Sequence, residues 1–174
     1  EGAAAQAPVH GEVTLHTDER FGEVRYGDWT GQPLKQLAKE PLWKVVQAHP
    51  SAAEFPGEGG ESLASMQARA VAAVRDWNTR LGADAAYVVV SHGDVIKALL
   101  ADALGQHLDL FQRIVVDPAS LSVVRYTPLR PFVERINDTG GSVKGLQAAK
   151  RRRRGRQAGS DAVVGGGAGQ EGGA

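Results

Sequence analysis

The chain has 174 residues, 42% of them hydrophobic, with 20 basic and 20 acidic side chains and no cysteine. That is enough length and apolar content for one domain with a core, and it excludes disulfides, thiolate metal sites and thiol catalysis. No apolar run reaches the roughly 18 residues of a membrane span, and the N-terminus lacks the zones of a signal peptide, so cytoplasm is the default location.

The balanced charge is unevenly placed. Six of the basic residues and two of the acidic ones lie from Gln147 onward, which leaves 14 basic and 18 acidic in residues 1–146. Eight of the 24 residues from Arg151 onward are glycine. Such a segment has too little to bury to offset its ordering entropy. The division expected is a domain over residues 1–146 and a disordered basic, glycine-rich tail over residues 147–174. The Arg151–Arg154 block could meet nucleic acid or an acidic surface; a solvated tail is the simpler account. The chain opens on Glu1 rather than Met, so the natural start is expected upstream.

In chain order, "GDWTGQPLKQLAKEPLWKVVQAHP" predicts a turn and two short helices. Pro33 suits a first turn, Pro41 separates the pieces and Pro50 ends the second. The glycine-rich "FPGEGGES" follows. Ser62 then caps the clearest helix, whose apolar face is Leu63, Met66, Ala70, Val74, Trp77 and Leu81, with Gly82 just beyond its end. Val88 to Val90 read as a strand buried on both faces. Asp94 to Leu104 read as a helix with Asp94 as N-cap and Gly105 as stop. Residues 112–116, 121–126 and 132–136 read as strands. Helices alternating with buried strands indicate an α/β layered fold.

Chemistry is suggested first by Ser91-His92-Gly93, where the apolar strand turns into a helix. Ligands of open α/β sheets bind outside the carboxyl ends of strands. The amides that open a helix suit phosphate, and a histidine adds a donor that titrates near neutrality. Taken alone, the motif is equally consistent with a histidine that merely fills the turn. The five histidines of the chain show no metal-ligand spacing.

A second stretch, "DERFGEVRYGDWTG", places Glu23 before Tyr26, Gly27, Trp29 and Gly31. Gly60-Glu61-Ser62 stands between the two stretches, ahead of the long helix. These three elements, in this order and spacing, resemble the histidine phosphatase superfamily, also called phosphoglycerate mutase-like. The match runs from about residue 18 to 140, and "FVERINDTGG" with its arginine-rich tail is similar to an actinobacterial phosphomutase branch of that family.

The resemblance implies a three-layer α/β/α sandwich with a mostly parallel sheet. It also implies phosphoryl transfer through a phosphohistidine, with no metal and no cofactor, on a small phosphorylated metabolite. Positioning and charge stabilisation carry most of such a reaction, and covalent catalysis divides it in two. By this resemblance His92 is the second, phosphate-holding histidine and Glu23 the proton donor. Gly93 and Asp94 would present backbone amides to phosphate, and Ser62 would line the pocket. Glycolytic mutases of the family follow the glutamate with an arginine for the substrate carboxylate. Val24 stands there, which favours a phosphatase of the α-ribazole phosphatase type.

The family's attacking histidine sits in an Arg-His-Gly motif on a first strand. His10-Gly11-Glu12 imitates it, but Val9 replaces the arginine and Pro8 interrupts a strand. Only ten residues separate Glu12 from Glu23, too few for the crossover of a dozen or more that a parallel strand needs. The expectation is therefore a chain without the nucleophile, its sheet incomplete, Tyr87 to Val90 left as an edge, and little turnover by residues 1–174 alone. A pseudoenzyme that binds phosphorylated ligands and a nucleic-acid-associated protein remain open as alternatives. Substrate identity and oligomeric state are left undetermined, and nothing in the chain calls for a membrane partner.

Overall fold

Five local signals organise the first half of the chain in the computed structural model, which describes residues 14–83 and 85–140. Pro33 caps helix α1 (Leu34–Leu37), and Pro41 opens α2 (Pro41–Ala48) at a position where its missing N–H costs nothing. Pro50 starts a 3-10 turn, Pro50–Ala52, that ends α2. Ser62 accepts the Ser65 N–H and so caps α3 (Leu63–Leu81), and Gly82, at φ 87°, closes it.

The inward face of α3 is Leu63, Met66, Ala70, Val71, Ala73 and Val74. Trp77 is only half-buried and Leu81 is exposed, because the last turns of the helix run past the main core. That core also takes Trp29, Trp43 and Val46 from the first half, Val95 and Leu100 from α4 (Gly93–Ala103), and Phe111. A second cluster of Phe21, Ala73 and Val74 is covered by Trp77, Val89, Leu99 and Tyr126. Strands β1 (Leu121–Tyr126) and β2 (Pro131–Asp138) form an antiparallel hairpin with Val124 opposite Val133. Those two valines pack on the main core.

Three expectations are corrected. Residues 108–113 form a 3-10 turn and 114–116 pair with no strand. Leu108, Phe111, Ile114 and Val116 all turn inward, so an apolar stretch that resembles a strand is buried without a ladder. Val88 to Val90 are not a strand buried on both faces: the stretch is unladdered, with Val88 80% and Val90 90% exposed. Val89 alone turns in, against Phe21 and Val74. Asp94 is not an N-cap. The cap of α4 is His92, with extended backbone, and Asp94 lies buried in the first turn. Its carboxylate accepts from Tyr26, on a distant segment, and meets Lys97 one turn further along α4.

Among the described residues the sheet is the two-stranded hairpin, not a parallel one. No described helix is long and apolar enough to cross a membrane. The His10-Gly11-Glu12 motif and the tail from Gln147 lie outside the described residues.

The turn after Glu23 depends on a glycine. Gly27 has φ 53°, Asp28 N–H donates to the Pro56 carbonyl at 2.8 Å, and a Cβ on Gly27 would run into that same carbonyl. Gly27→Ala should lower stability by about 1–3 kcal/mol through overlap, plus on the order of 1 kcal/mol for the left-handed backbone. The urea midpoint measures this; an alanine variant that unfolds with the unsubstituted protein would refute it.

Candidate active site

Glu23 and His92 are 69 positions apart in the chain and meet in space, with Glu23 Oε2 3.9 Å from His92 Nδ1. Two different segments bring them there. His92 is the cap of α4, so it stands at the end of that helix where the first-turn amides lack helical partners. Ser91, just before it, donates its hydroxyl to the Phe21 carbonyl at 2.7 Å. That bond ties the His92 turn to the segment carrying Glu23.

The Glu23 segment, residues 18–25, has no regular ladder and runs along α3 in the opposite direction, held by side chains. Asp18 accepts from Trp77 Nε1 at 2.9 Å, and Arg20 reaches Asp76 at 3.0 Å. Arg69 donates to the carbonyls of Arg20 (2.8 Å), Gly22 (2.9 Å) and Glu23 (3.0 Å). Beyond Glu23, Arg25 N–H donates to Glu61 at 3.0 Å and Glu61 N–H to the Arg25 carbonyl at 2.9 Å. The Arg20 guanidinium holds the Asp18 carboxyl well below the usual range, although partial burial works the other way.

The Glu23 carboxyl is half-buried and its Oε1 accepts the Val24 N–H at 2.9 Å. Burial pushes its pKa up, and the negative charge of Asp94 adds to this; the Val24 N–H, His92 and Arg69 offset part of it. A carboxyl so placed keeps its proton to higher pH than an ordinary glutamate, as a proton donor must.

Behind the rim lies a buried polar group. Asp94 is 1% and Lys97 3% exposed. Lys97 Nζ lies 3.5 Å from Asp94 Oδ1 and donates to Gln112 Oε1 at 3.2 Å, and Tyr26 O–H donates to Asp94 Oδ2 at 3.1 Å. Burial and the adjacent carboxylates push the Tyr26 hydroxyl up, so it remains a donor.

Of the residues singled out from the sequence, Glu23, His92, Gly93 and Asp94 are brought together. Ser62 serves elsewhere: its hydroxyl accepts the Ser65 N–H at 3.0 Å and donates to Ser65 Oγ at 2.9 Å. Its neighbour Glu61 is the one connected to the site. Arg69, Glu61 and Lys97 were missed as partners. The signal available for Arg69 is its position three residues after Met66 and four before Ala73, both 0% exposed. A charge on an apolar stripe needs a buried partner.

A family model of the histidine phosphatase superfamily (branch 1) matches residues 1–139. The chain belongs to the histidine phosphatase superfamily. The chain is 30% identical over 130 residues to phosphoserine phosphatase 1 of Hydrogenobacter thermophilus, covering 70% of the chain and 57% of that relative. Its fold matches an Entamoeba histolytica phosphoserine phosphatase solved with phosphoserine, at TM-score 0.66 and 19% identity over 74% of this chain and 64% of the other. It also matches a mycobacterial glucosyl-3-phosphoglycerate phosphatase solved with inorganic phosphate, at TM-score 0.56 and 24% identity over 69% and 63%. The chain thus spans less than two thirds of each of these three proteins. These likenesses establish an α/β fold of the histidine phosphatase kind.

Proposed function

We propose that this histidine phosphatase domain hydrolyses a small phosphorylated metabolite, with His92 holding the phosphoryl group and Glu23 protonating the leaving oxygen. The observation that carries the reading is the 3.9 Å approach of Glu23 to His92, beside the first turn of α4. A phosphoryl oxygen set against His92 and the Gly93 and Asp94 amides would be stabilised by a donor and by the positive end of a helix. Its ester oxygen would then lie within reach of a protonated Glu23. No attacking group is assigned among the described residues.

Hydrolysis is favoured over mutase chemistry by Val24, which is 3% exposed and packed into the core, so nothing at that position can meet a substrate carboxylate. The relatives suggest phosphoserine and phosphoglycerate-type esters as substrates to try first. A parallel sheet completing the three-layer sandwich belongs to the same reading.

Phosphate binding tests the reading, because it needs only the groups described above. Titration with inorganic phosphate followed by calorimetry or phosphorus NMR should give saturable binding. His92→Ala should weaken it about 10- to 100-fold, the effect of losing a charge-assisted hydrogen bond of roughly 1.5–3 kcal/mol. Equal affinity in a folded His92→Ala protein would remove His92 from the site.

A further inference from the structure

Four consecutive main-chain carbonyls, those of residues 20 to 23, accept from side chains rather than from a helix or sheet: three from Arg69 and one from Ser91. Buried backbone acceptors need partners, and this segment has no ladder to provide them. The Arg69 guanidinium is aimed by Glu61, whose carboxylate it meets at 3.0 Å through Nε and 2.6 Å through Nη2. The Glu61 side chain is 4% exposed and that of Arg69 20%. One planar fork thus joins α3, a buried carboxylate and the backbone on either side of the Glu23 side chain. A lysine cannot reproduce that set of bonds, since its ammonium is a point charge without fixed in-plane donors.

Resting on the phosphatase reading above, we infer that Arg69, aimed by Glu61 and assisted by the Ser91 hydroxyl, is a positioning residue that sets the Glu23 carboxyl opposite His92. Arg69 touches neither substrate nor a reacting atom; it acts through the backbone of residues 20–23. The partial burial of Glu23 depends on this backbone staying against α3. Release of the segment would let water reach the carboxyl and move it from the leaving oxygen, and small displacements of that kind cost catalysis heavily.

The test is Arg69→Lys, which keeps the charge and removes the fork. Carbon NMR titration of the Glu23 carboxyl is the first readout and needs no turnover. In the variant the titration should move down toward an ordinary glutamate, because burial is the largest cause of its upward shift. With a phosphomonoester of a simple alcohol, kcat should fall about 10- to 100-fold with KM little changed, and the alkaline limb of the pH profile should move to lower pH. Arg125→Lys on the hairpin, whose guanidinium pairs with Glu134 at the surface, should change neither. If Arg69→Lys does not fold, Glu61→Gln and Ser91→Ala loosen the same strap and should lower the Glu23 titration by smaller steps. A folded Arg69→Lys or Glu61→Gln protein whose Glu23 titrates as in the unsubstituted chain would overturn the inference. Absence of phosphate binding and turnover in the unsubstituted protein would instead sink the phosphatase reading, and the titration would still decide the role of Arg69.

Discussion

On the proposed reading, Glu23→Gln should lower hydrolysis of an alkyl phosphomonoester such as phosphoserine by about 10²–10⁴-fold, the usual contribution of a positioned general acid. The substitution keeps the side chain's shape and its Oε1 acceptor for Val24 N–H, and it removes only the acidic proton. Two further results follow if the role is proton donation. The loss should be much smaller for p-nitrophenyl phosphate, whose leaving group departs as a stable phenolate and needs no proton. The alkaline limb of the rate profile should also flatten: Glu23 is pushed above its ordinary value of 4.5 by burial first, so activity that needs its protonated form falls as pH rises through the raised value, and glutamine has no such transition.

The same substitution bears on stability with a determinate sign. A carboxylic acid with a raised pKa in the folded protein contributes stability that is present below its unfolded value and is lost as pH rises through the folded one. At neutral pH the native state therefore holds Glu23 against its preference, and Glu23→Gln should melt at least as high as the unsubstituted protein. A variant that is inactive with both esters and also melts lower would point to a structural role instead. Steady-state kinetics on the two esters and a thermal melt at pH 7 decide between them.

The second large effect concerns Asp94. Asp94→Asn should destabilise the fold by about 3–5 kcal/mol, because it removes one charge of a buried pair and leaves the Lys97 ammonium in the core with that carboxylate gone. The pair is 1% and 3% exposed, so solvent offers little compensation. Replacing both charges, Asp94→Asn with Lys97→Met, should recover much of the loss, since no uncompensated charge is then left in the core. Urea denaturation of Asp94→Asn, Lys97→Met and the double variant gives the cycle; additive losses would show that the two side chains do not stabilise each other. A distinct consequence reaches the rim. Asp94 is one of the groups that raise the Glu23 pKa, so in Asp94→Asn the Glu23 carboxyl should titrate lower and the alkaline limb of activity should begin earlier. A buried ion pair thus couples the stability of the first turn of α4 to the protonation of a residue on another segment.

The sequence by itself determined the parts of this protein that are decided by near neighbours. The Ser62 cap, the three-and-four spacing from Leu63 and the glycine at 82 specify α3 to the residue, because a helix is built from bonds four positions apart. The prolines at 41 and 50 bound α2 for the same local reason. Residues 121–126 and 132–136 are legible as strands from their apolar and β-branched content; that they pair with each other was left to the structure. Glu23, His92 and Gly93 could be marked as a site from the order of three short motifs.

What only the tertiary structure decided is held by contacts with no period in the chain. Arg69 meets residues 46 to 49 positions away, and no spacing rule announces that a helical arginine will cap carbonyls of a distant unladdered segment. Asp94 carries the sequence features of an N-cap, yet Tyr26, 68 positions earlier, and Lys97 claim its carboxylate, so the cap passes to His92. Val88 to Val90 have the composition of a core strand. Strand burial requires a neighbour, and composition cannot supply one: two of these valines lie in water, because no described segment pairs with them. Residues 112–116 show the converse, apolar side chains buried by packing against helices without a ladder. Local propensity sets which backbone shapes are cheap; which of them is kept depends on what lies against the chain from far along it.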